Sequence, residues 1–492
     1  MAAPIRFDNS YARLPRLFHL PSPPVPVAAP RLVLLNRGLA RDLGIDPDWL
    51  ASPEGVQVLA GNVLPEGAEP VAMAYSGHQF GGFNPMMGDG RATLLGEVVG
   101  GPLGRRDIHM KGCGLTPFSG HGDGRSPLGP MVREFIIAEA MAALGIPTTR
   151  SLSVVATGET VRRETLLPGG LLARVAASHI RVGTFEYAAI TGDPAAPRLL
   201  ADHVINRHYP EAAEAPNRYA AMLASVVERQ ADLVARWLLV GFVHGVMNTD
   251  NTAVSGETID YGPCAFIDAY DPAAVFSSID HRGRYAYGNQ PTIALWNMTR
   301  FAEALLPLLS ESEEESVAIA EAALAGFTPR FNAAYLSGLR SKIGLTTERE
   351  GDLELVRDLL TRMGEGKADF TATFRRLCDA AADPAADATV RALFAEPEAF
   401  DAWARAWRER LALEPIDPAA RAVAMRAANP AIIPRNHLVE EAIAAAVQRD
   451  DFAPAERLVE ALSTPFEDRP EFADYAEPPA PGQGVYRTFC GL

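Results

Sequence analysis

The sequence predicts an α+β fold in two lobes, a β-rich lobe holding one prominent helix followed by a helical lobe. Three observations predict it. Glycine concentrates between residues 75 and 130, where short apolar runs alternate with turns. A long apolar stripe at helical spacing (Met222, Val226, Val227, Ala231, Val234, Trp237, Leu238) marks a helix over Arg218–Phe242. From residue 296 onward the pattern is mostly Ala-rich and amphipathic, with acidic turns such as SESEEES at 310–316. The expected organisation is an arm (1–75) that wraps the lobes, a β-rich N-lobe (76–190), a helical C-lobe (191–300), and a helical extension with its tail (301–492).

The elements follow in chain order. The arm opens Pro-rich (PSPPVPVAAP, 21–30) and continues as an apolar, helix-like stretch (LVLLNRGLARDLGI, 32–45). Ala92–Val99 and Asp107–Lys111 flank the turn GGPLGRR and read as a β-hairpin. Pro127 and Pro130 mark the start of a helix that runs to Leu144, with Ile136, Ile137, Ala140, Met141 and Leu144 as its apolar stripe. Residues 150–187 read as β again, in short segments punctuated by Gly and Pro. No internal repeat of solenoid period is present.

Composition narrows the function. The 492 residues carry 45 Lys+Arg against 61 Asp+Glu, a net charge of −16. That balance argues against binding nucleic acid or an anionic membrane. The 48% hydrophobic and 22% charged content is that of a globular chain and excludes wholesale disorder. No apolar run is long enough for a transmembrane helix, and the N-terminus lacks an apolar signal core, so a cytoplasmic location is expected. Four cysteines (Cys113, Cys264, Cys378, Cys490) are too few for a disulfide framework.

The chemistry sits in an ordered constellation. The glycine cluster SGHQFGGFNPMMGDGRATLLGE (76–97) would let backbone N–H groups approach a phosphate, although no GK[ST] follows and a structural hairpin would use glycines too. Lys111 ends the second hairpin strand, where a kinase-like lobe keeps its phosphate-pairing lysine. Glu134 on the next helix is the carboxylate such a lysine needs. Alone, each would be an ordinary surface residue. Asp250 and Asn251 follow the long helix, and Asp260-Tyr261-Gly262 comes shortly after, in a strand-like stretch (258–268). A carboxylate, an amide oxygen and a second carboxylate are what Mg²⁺ or Mn²⁺ takes when it also holds phosphates. Asp260-Tyr261-Gly262 matches the Asp-Phe-Gly triplet of kinases, although a lone Asp-x-Gly is ordinarily a β-turn. Together, in this order, the residues point to a kinase-like nucleotide site. The kinase H-R-D base is missing, because Gly245 and Val246 follow His244, and Asp250 is the carboxylate of that loop that could replace it. A second glycine cluster, SGHGDGRSPLGP (119–130), has no counterpart in ordinary kinases. Arg174 and Arg181 would neutralise a triphosphate, or form surface ion pairs.

The stretches SGHQFGGFNPMMGDGRA, KGCGLTPFSGHGDGRSPLGPMVREF, HGVMNTDN and DYGPCAF resemble the selenoprotein O family of kinase-fold pseudokinases, from about residue 5 to the C-terminus. The resemblance implies an enzyme that transfers AMP from ATP to Ser, Thr or Tyr hydroxyls of proteins, with Mg²⁺ or Mn²⁺, and UMP from UTP in some members. It implies a nucleotide flipped relative to kinases, so that the α-phosphorus meets the acceptor. Carried over by position, Gly88, Gly90 and Arg91 bind the nucleotide, and Lys111, held by Glu134, contacts phosphate. Asp123 and Gly124 lie near base or sugar, and Arg174 and Arg181 contact phosphates. Asp250 accepts the proton, and Asn251 and Asp260 ligate metal. Where many members carry selenocysteine this chain has Cys490, and the resemblance implies a redox latch between Cys264 and Cys490; two free thiols are the alternative. A kinase-like phosphotransferase and an inactive scaffold are the competing functions. The retained metal ligands argue against the scaffold and the missing base against the phosphotransferase. Nothing in the sequence demands a dimer.

Overall fold

The structure, a computed structural model, describes residues 4–489. It is a mixed α/β fold built on one antiparallel sheet and many helices. Among the described residues the strands are β1 (His19–Pro21), β2 (Arg31–Leu35), β3 (Val71–Met73), β4 (Gly77–Gln79), β5 (Gly82–Asn84), β6 (Ala92–Val98), β7 (Arg106–Lys111), β8 (Ser126–Pro127), β9 (Arg150–Arg162), β10 (Leu166–Ala176), β11 (Phe242–Val243) and β12 (Ala265–Phe266). The main sheet runs β1-β3-β6-β7-β10-β9-β2, with β8 added against β10. The first 75 residues thus supply β1, β2 and β3 to that sheet.

Alternation along the strands sorts two apolar layers. Leu94, Val154 and Leu172 face the large core, which they share with helix Leu128–Ala143 and the helical part of the chain. Their neighbours Leu95, Val155 and Leu171 face a smaller core under the arm, with Leu39, Leu43 and Leu50. In β7, Ile108 and Met110 belong to the small core, so Asp107, His109 and Lys111 face the opposite way. In β10, Ala173 and Val175 are in the small core and Arg174 is turned to the same side as His109 and Lys111. Arg174 pairs directly with His109 across the two strands.

The β6–β7 hairpin and the helix after Pro127 form where the sequence places them. Three local readings are corrected. Residues 32–35 are strand, paired with β9, because their apolar run lies on a sheet edge before helix Arg37–Asp42 begins. Residues 182–187 belong to helix Val182–Ile190, since burial of Val182 and Phe185 overrides their β-branched and aromatic composition. The stretch 258–268 is strand only at Ala265–Phe266, and Asp260 stands at φ +62°, which breaks any extended run.

Helix Arg218–Val240 starts on an Asn217 cap, whose side chain accepts from Ala220 N at 3.1 Å, and stops at Gly241 in the left-handed region. Immediately beyond, β11 pairs with β12 and clamps both ends of the loop 244–264. The C-terminal extension grips that clamp. Asn436 accepts from Phe266 N at 3.0 Å and donates to its carbonyl at 2.7 Å. Buried Arg435 pairs with Asp268 at 2.8 Å and Asp369 at 2.7 Å. No helix among the described residues is long and apolar enough to cross a membrane.

Removing Arg435 leaves Asp369 without its buried partner. Arg435→Ala should lower stability by about 3–5 kcal/mol, read as a shift of the urea midpoint. A shift equivalent to less than about 1 kcal/mol, the value of an exposed pair, would remove this clamp from the account.

Candidate active site

A cleft of about 810 Å³ opens where the sheet, helix Leu128–Ala143 and the loop 244–264 meet. Every nucleotide and metal residue expected from the sequence lines it: Gly88, Gly90, Arg91, Lys111, Asp123, Gly124, Glu134, Arg174, Arg181, Asp250, Asn251 and Asp260.

The centre is a charge cluster. Lys111 Nζ lies 2.7 Å from Glu134 Oε2 and 3.4 Å from Asp260 Oδ1. Arg174 reaches Glu134 at 3.2 Å and also pairs with Asp260 Oδ1. Arg181 pairs with Asp260 Oδ2 and donates to the Asp250 carbonyl at 2.6 Å. Burial alone would raise the Asp260 carboxyl, but the charges of Arg174, Arg181 and Lys111 outweigh it and hold it well below the usual carboxylate range. These three cations outnumber the two carboxylates that hold them, so the cluster is arranged to receive further negative charge. Arg181 is fixed from a second side by the Tyr75 ring, whose centroid is 4.8 Å from its guanidinium carbon.

Asp250 differs from Asp260. Its carboxyl is pushed up to about 7 by burial, against the lowering influence of Arg181. Its Oδ1 is buried with no hydrogen-bond partner. An unsatisfied carboxylate oxygen poised near neutrality is suited to accept a proton or to ligate a cation. Gly77 lets the chain pass this oxygen, because a Cβ there would come within 2.4 Å of it. Gly88 stands at φ +66°, and a Cβ would strike the Phe118 ring at 2.4 Å.

Asp260, Asn251 and Asp250 offer oxygen donors of the kind a hard divalent cation takes. Asn251 donates its amide to the Val246 carbonyl at 3.0 Å, which fixes the orientation of that side chain. No group of three or more His, Cys, Asp or Glu among the described residues is set to hold a metal alone. With Asp250 Oδ1 left without a hydrogen-bond partner, the donor set fits a cation that completes its shell on phosphate oxygens.

Asp123 sits at the outer end of the cleft, where it accepts from Arg163 at 2.9 Å. Cys264 is buried behind Pro263, and Cys490 lies outside the described residues.

Several supporting residues were not singled out from the sequence. Asn248 Oδ1 accepts from Phe80 N at 3.1 Å and from the Tyr285 hydroxyl at 2.5 Å. Glu186 accepts from the Thr249 hydroxyl at 2.6 Å and also bonds His78, tying the β4–β5 hairpin to the loop that carries Asp250. His78 lies within the first glycine cluster, but nothing local marks Glu186, which helix Val182–Ile190 brings in from elsewhere in the chain.

Residues 3–463 match the family described as "Protein adenylyltransferase SelO". A protein of Rhodopseudomonas palustris (strain BisB5) named "Protein nucleotidyltransferase YdiU" is 62% identical over 485 residues, 99% of each chain. One of the same name from Methylorubrum extorquens is 63% identical over 497 residues, 100% of each chain. A third, from Bradyrhizobium diazoefficiens, is 62% identical over 485 residues, 99% of each chain. Similarity of this depth, over the whole length of both partners, leaves one conclusion: the chain belongs to the SelO family of protein adenylyltransferases.

Proposed function

We propose that this chain is a protein adenylyltransferase that moves AMP from ATP to Ser, Thr or Tyr hydroxyls of protein substrates. UTP with Mn²⁺ is a second donor pair that the resemblance implies. The observation that carries the reading is the Lys111–Glu134–Asp260–Arg174–Arg181 cluster at the cleft floor beside an unpaired Asp250 oxygen. The layout is read as a kinase-like pair of lobes, 76–190 and 191–300, around that cleft, with the arm and the extension packed on them and the chain acting as a monomer in the cytoplasm.

The reaction balances simply. The acceptor hydroxyl oxygen attacks the α-phosphorus, the bond from that phosphorus to the bridging oxygen of the β-phosphate breaks, and pyrophosphate leaves. Asp250 takes the hydroxyl proton. Arg174 and Arg181 bear on the phosphates that become pyrophosphate, where negative charge develops. Lys111, held by Glu134, contacts a phosphate oxygen from the sheet side. Gly88, Gly90 and Arg91 bind the nucleotide along the first loop, and Asp123 and Gly124 lie toward base or sugar. Mg²⁺ or Mn²⁺, held by Asn251 and Asp260, would neutralise phosphate charge. Asp260 is already ionised by its cationic neighbours, so it needs no proton loss to serve as a ligand.

The latch between Cys264 and Cys490 is supported by the described end of the tail. The Thr488 hydroxyl donates to the Pro263 carbonyl at 2.5 Å, and Thr488 N donates to Phe276 O at 2.7 Å. Cys264 therefore follows directly on the residue that the tail touches two positions before Cys490. Burial pushes the Cys264 thiol up to about 12, which keeps it protonated at neutral pH.

Labelling decides the activity. With ATP labelled at either the α or the γ position, only α-label should enter protein; γ-label alone would make the chain a phosphotransferase. Asp250→Asn should cut the rate by roughly 100- to 10,000-fold while the thermal melt stays within a few degrees. Asp260→Ala, and chelation of divalent cations in the unaltered protein, should each abolish incorporation; full activity in either would remove the metal assignment. Thiol titration of the denatured chain, with and without prior dithiothreitol, should differ by two thiols after oxidation, and equal counts would eliminate the latch.

A further inference from the structure

Behind the phosphate-facing cluster lies a buried polar chain that the mechanism above does not use. Arg174 Nε donates to His109 Nδ1 at 3.1 Å. His109 Nε2 lies 3.0 Å from Asp89 Oδ2, and the same carboxylate oxygen accepts from Met73 N at 3.0 Å. His109 is wholly buried and Asp89 nearly so. The His179 ring stacks on His109 at 4.3 Å between centroids. Asp89 sits in the chain between Gly88 and Gly90, so one end of this polar chain is the first glycine loop and the other is a cleft arginine.

The bonding pattern fixes the imidazole. Nδ1 can accept from an arginine only if it carries no proton, so the ring N–H belongs at Nε2, where Asp89 accepts it. Burial pushes His109 down, which keeps the ring neutral. A guanidinium is planar, and two contacts on different nitrogens set its plane. His109 holds Nε of Arg174, while Glu134 and Asp260 hold Nη1. The orientation of this cleft-lining guanidinium is then set. Strand pairing makes this possible, because Arg174 and His109 are cross-strand partners on one face of the sheet.

We propose that His109, oriented by Asp89, is a positioning residue that fixes the Arg174 guanidinium for a phosphate group of the bound nucleotide. The inference rests on the nucleotide assignment made above. It identifies two residues outside the set read from the sequence, and it links the glycine loop to the phosphate arginine through one hydrogen-bonded path.

The test is a binding experiment on the full chain, so that it does not depend on turnover. A non-hydrolysable ATP analogue is titrated calorimetrically into the unaltered protein and into His109→Gln, His109→Asn, Asp89→Asn and Arg174→Lys, with thermal melts to confirm folding. Gln mimics the Nε2 end of the ring and places no acceptor at the Nδ1 position, so His109→Gln should weaken binding about tenfold, the scale of a lost hydrogen bond to a charged group. Asn places its oxygen near the Nδ1 position, so His109→Asn should stay within about threefold of the unaltered protein on the same scale. Asp89→Asn should show a smaller loss than His109→Gln, and it reports on the path if His109→Gln does not fold. Lysine has no Nε–H at that place, so adding His109→Gln to Arg174→Lys should cost nothing further. Unchanged binding in both His109→Gln and Asp89→Asn would overturn the proposal, as would additive losses in the double variant. No binding of the analogue by the unaltered protein would instead overturn the nucleotide assignment itself.

Discussion

The structure turns on the carboxylate of Asp260, held between Arg174, Arg181 and Lys111. Each cation arrives from a different place. Lys111 ends β7, Arg174 lies inside β10, and Arg181 stands just before helix Val182–Ile190. Asp260 comes from the loop between β11 and β12 and adopts φ +62°, in the left-handed region that aspartate enters more readily than most residues. Its pairing with three cations holds the side chain in place. One side chain thereby joins the sheet to the helical part, and the joint is also the floor of the cleft. Burying an ion cluster costs several kcal/mol per ion in lost hydration, so its presence here makes most sense as preorganisation for an anionic ligand.

Asp250 shows the opposite environment a short distance along the same loop. It has a buried, unpaired oxygen and a carboxyl lifted toward neutrality, while Asp260 is held fully ionised. Two aspartates with their proton affinities driven apart are a recurrent sign of divided labour in catalysis. Here the division follows from geometry alone: Asp260 is ringed by cations, whereas Asp250 meets Arg181 mainly through its own backbone carbonyl.

Much of this was legible in the sequence, and the rest was not for identifiable reasons. Lys111 and Glu134 could be paired from the order hairpin, strand, helix, because that order fixes which faces meet. Asp250, Asn251 and Asp260 could be found because short loop motifs carry their chemistry locally. The helix at 182–190 was hidden by its β-branched and aromatic residues, whose burial in the core overrode propensity. Glu186, Asn248 and Tyr75 were hidden because their roles exist only across the fold, in contacts spanning many residues of chain. The polar path from Asp89 through His109 to Arg174 needed the β7–β10 register, and that register cannot be read from alternation in either strand alone.

That register has a consequence for how the molecule is assembled. On β7, polar and apolar side chains alternate from Asp107 to Lys111, so shifting that strand by a single residue would exchange His109 and Lys111 with Ile108 and Met110. The slipped chain would drive an ammonium and an imidazole into the small apolar core and strand hydrophobic residues in the cleft. Forming the sheet and charging the cleft are therefore one event. A mispaired chain loses its core in the same step that it loses its site, so the strand pairing acts as its own quality control.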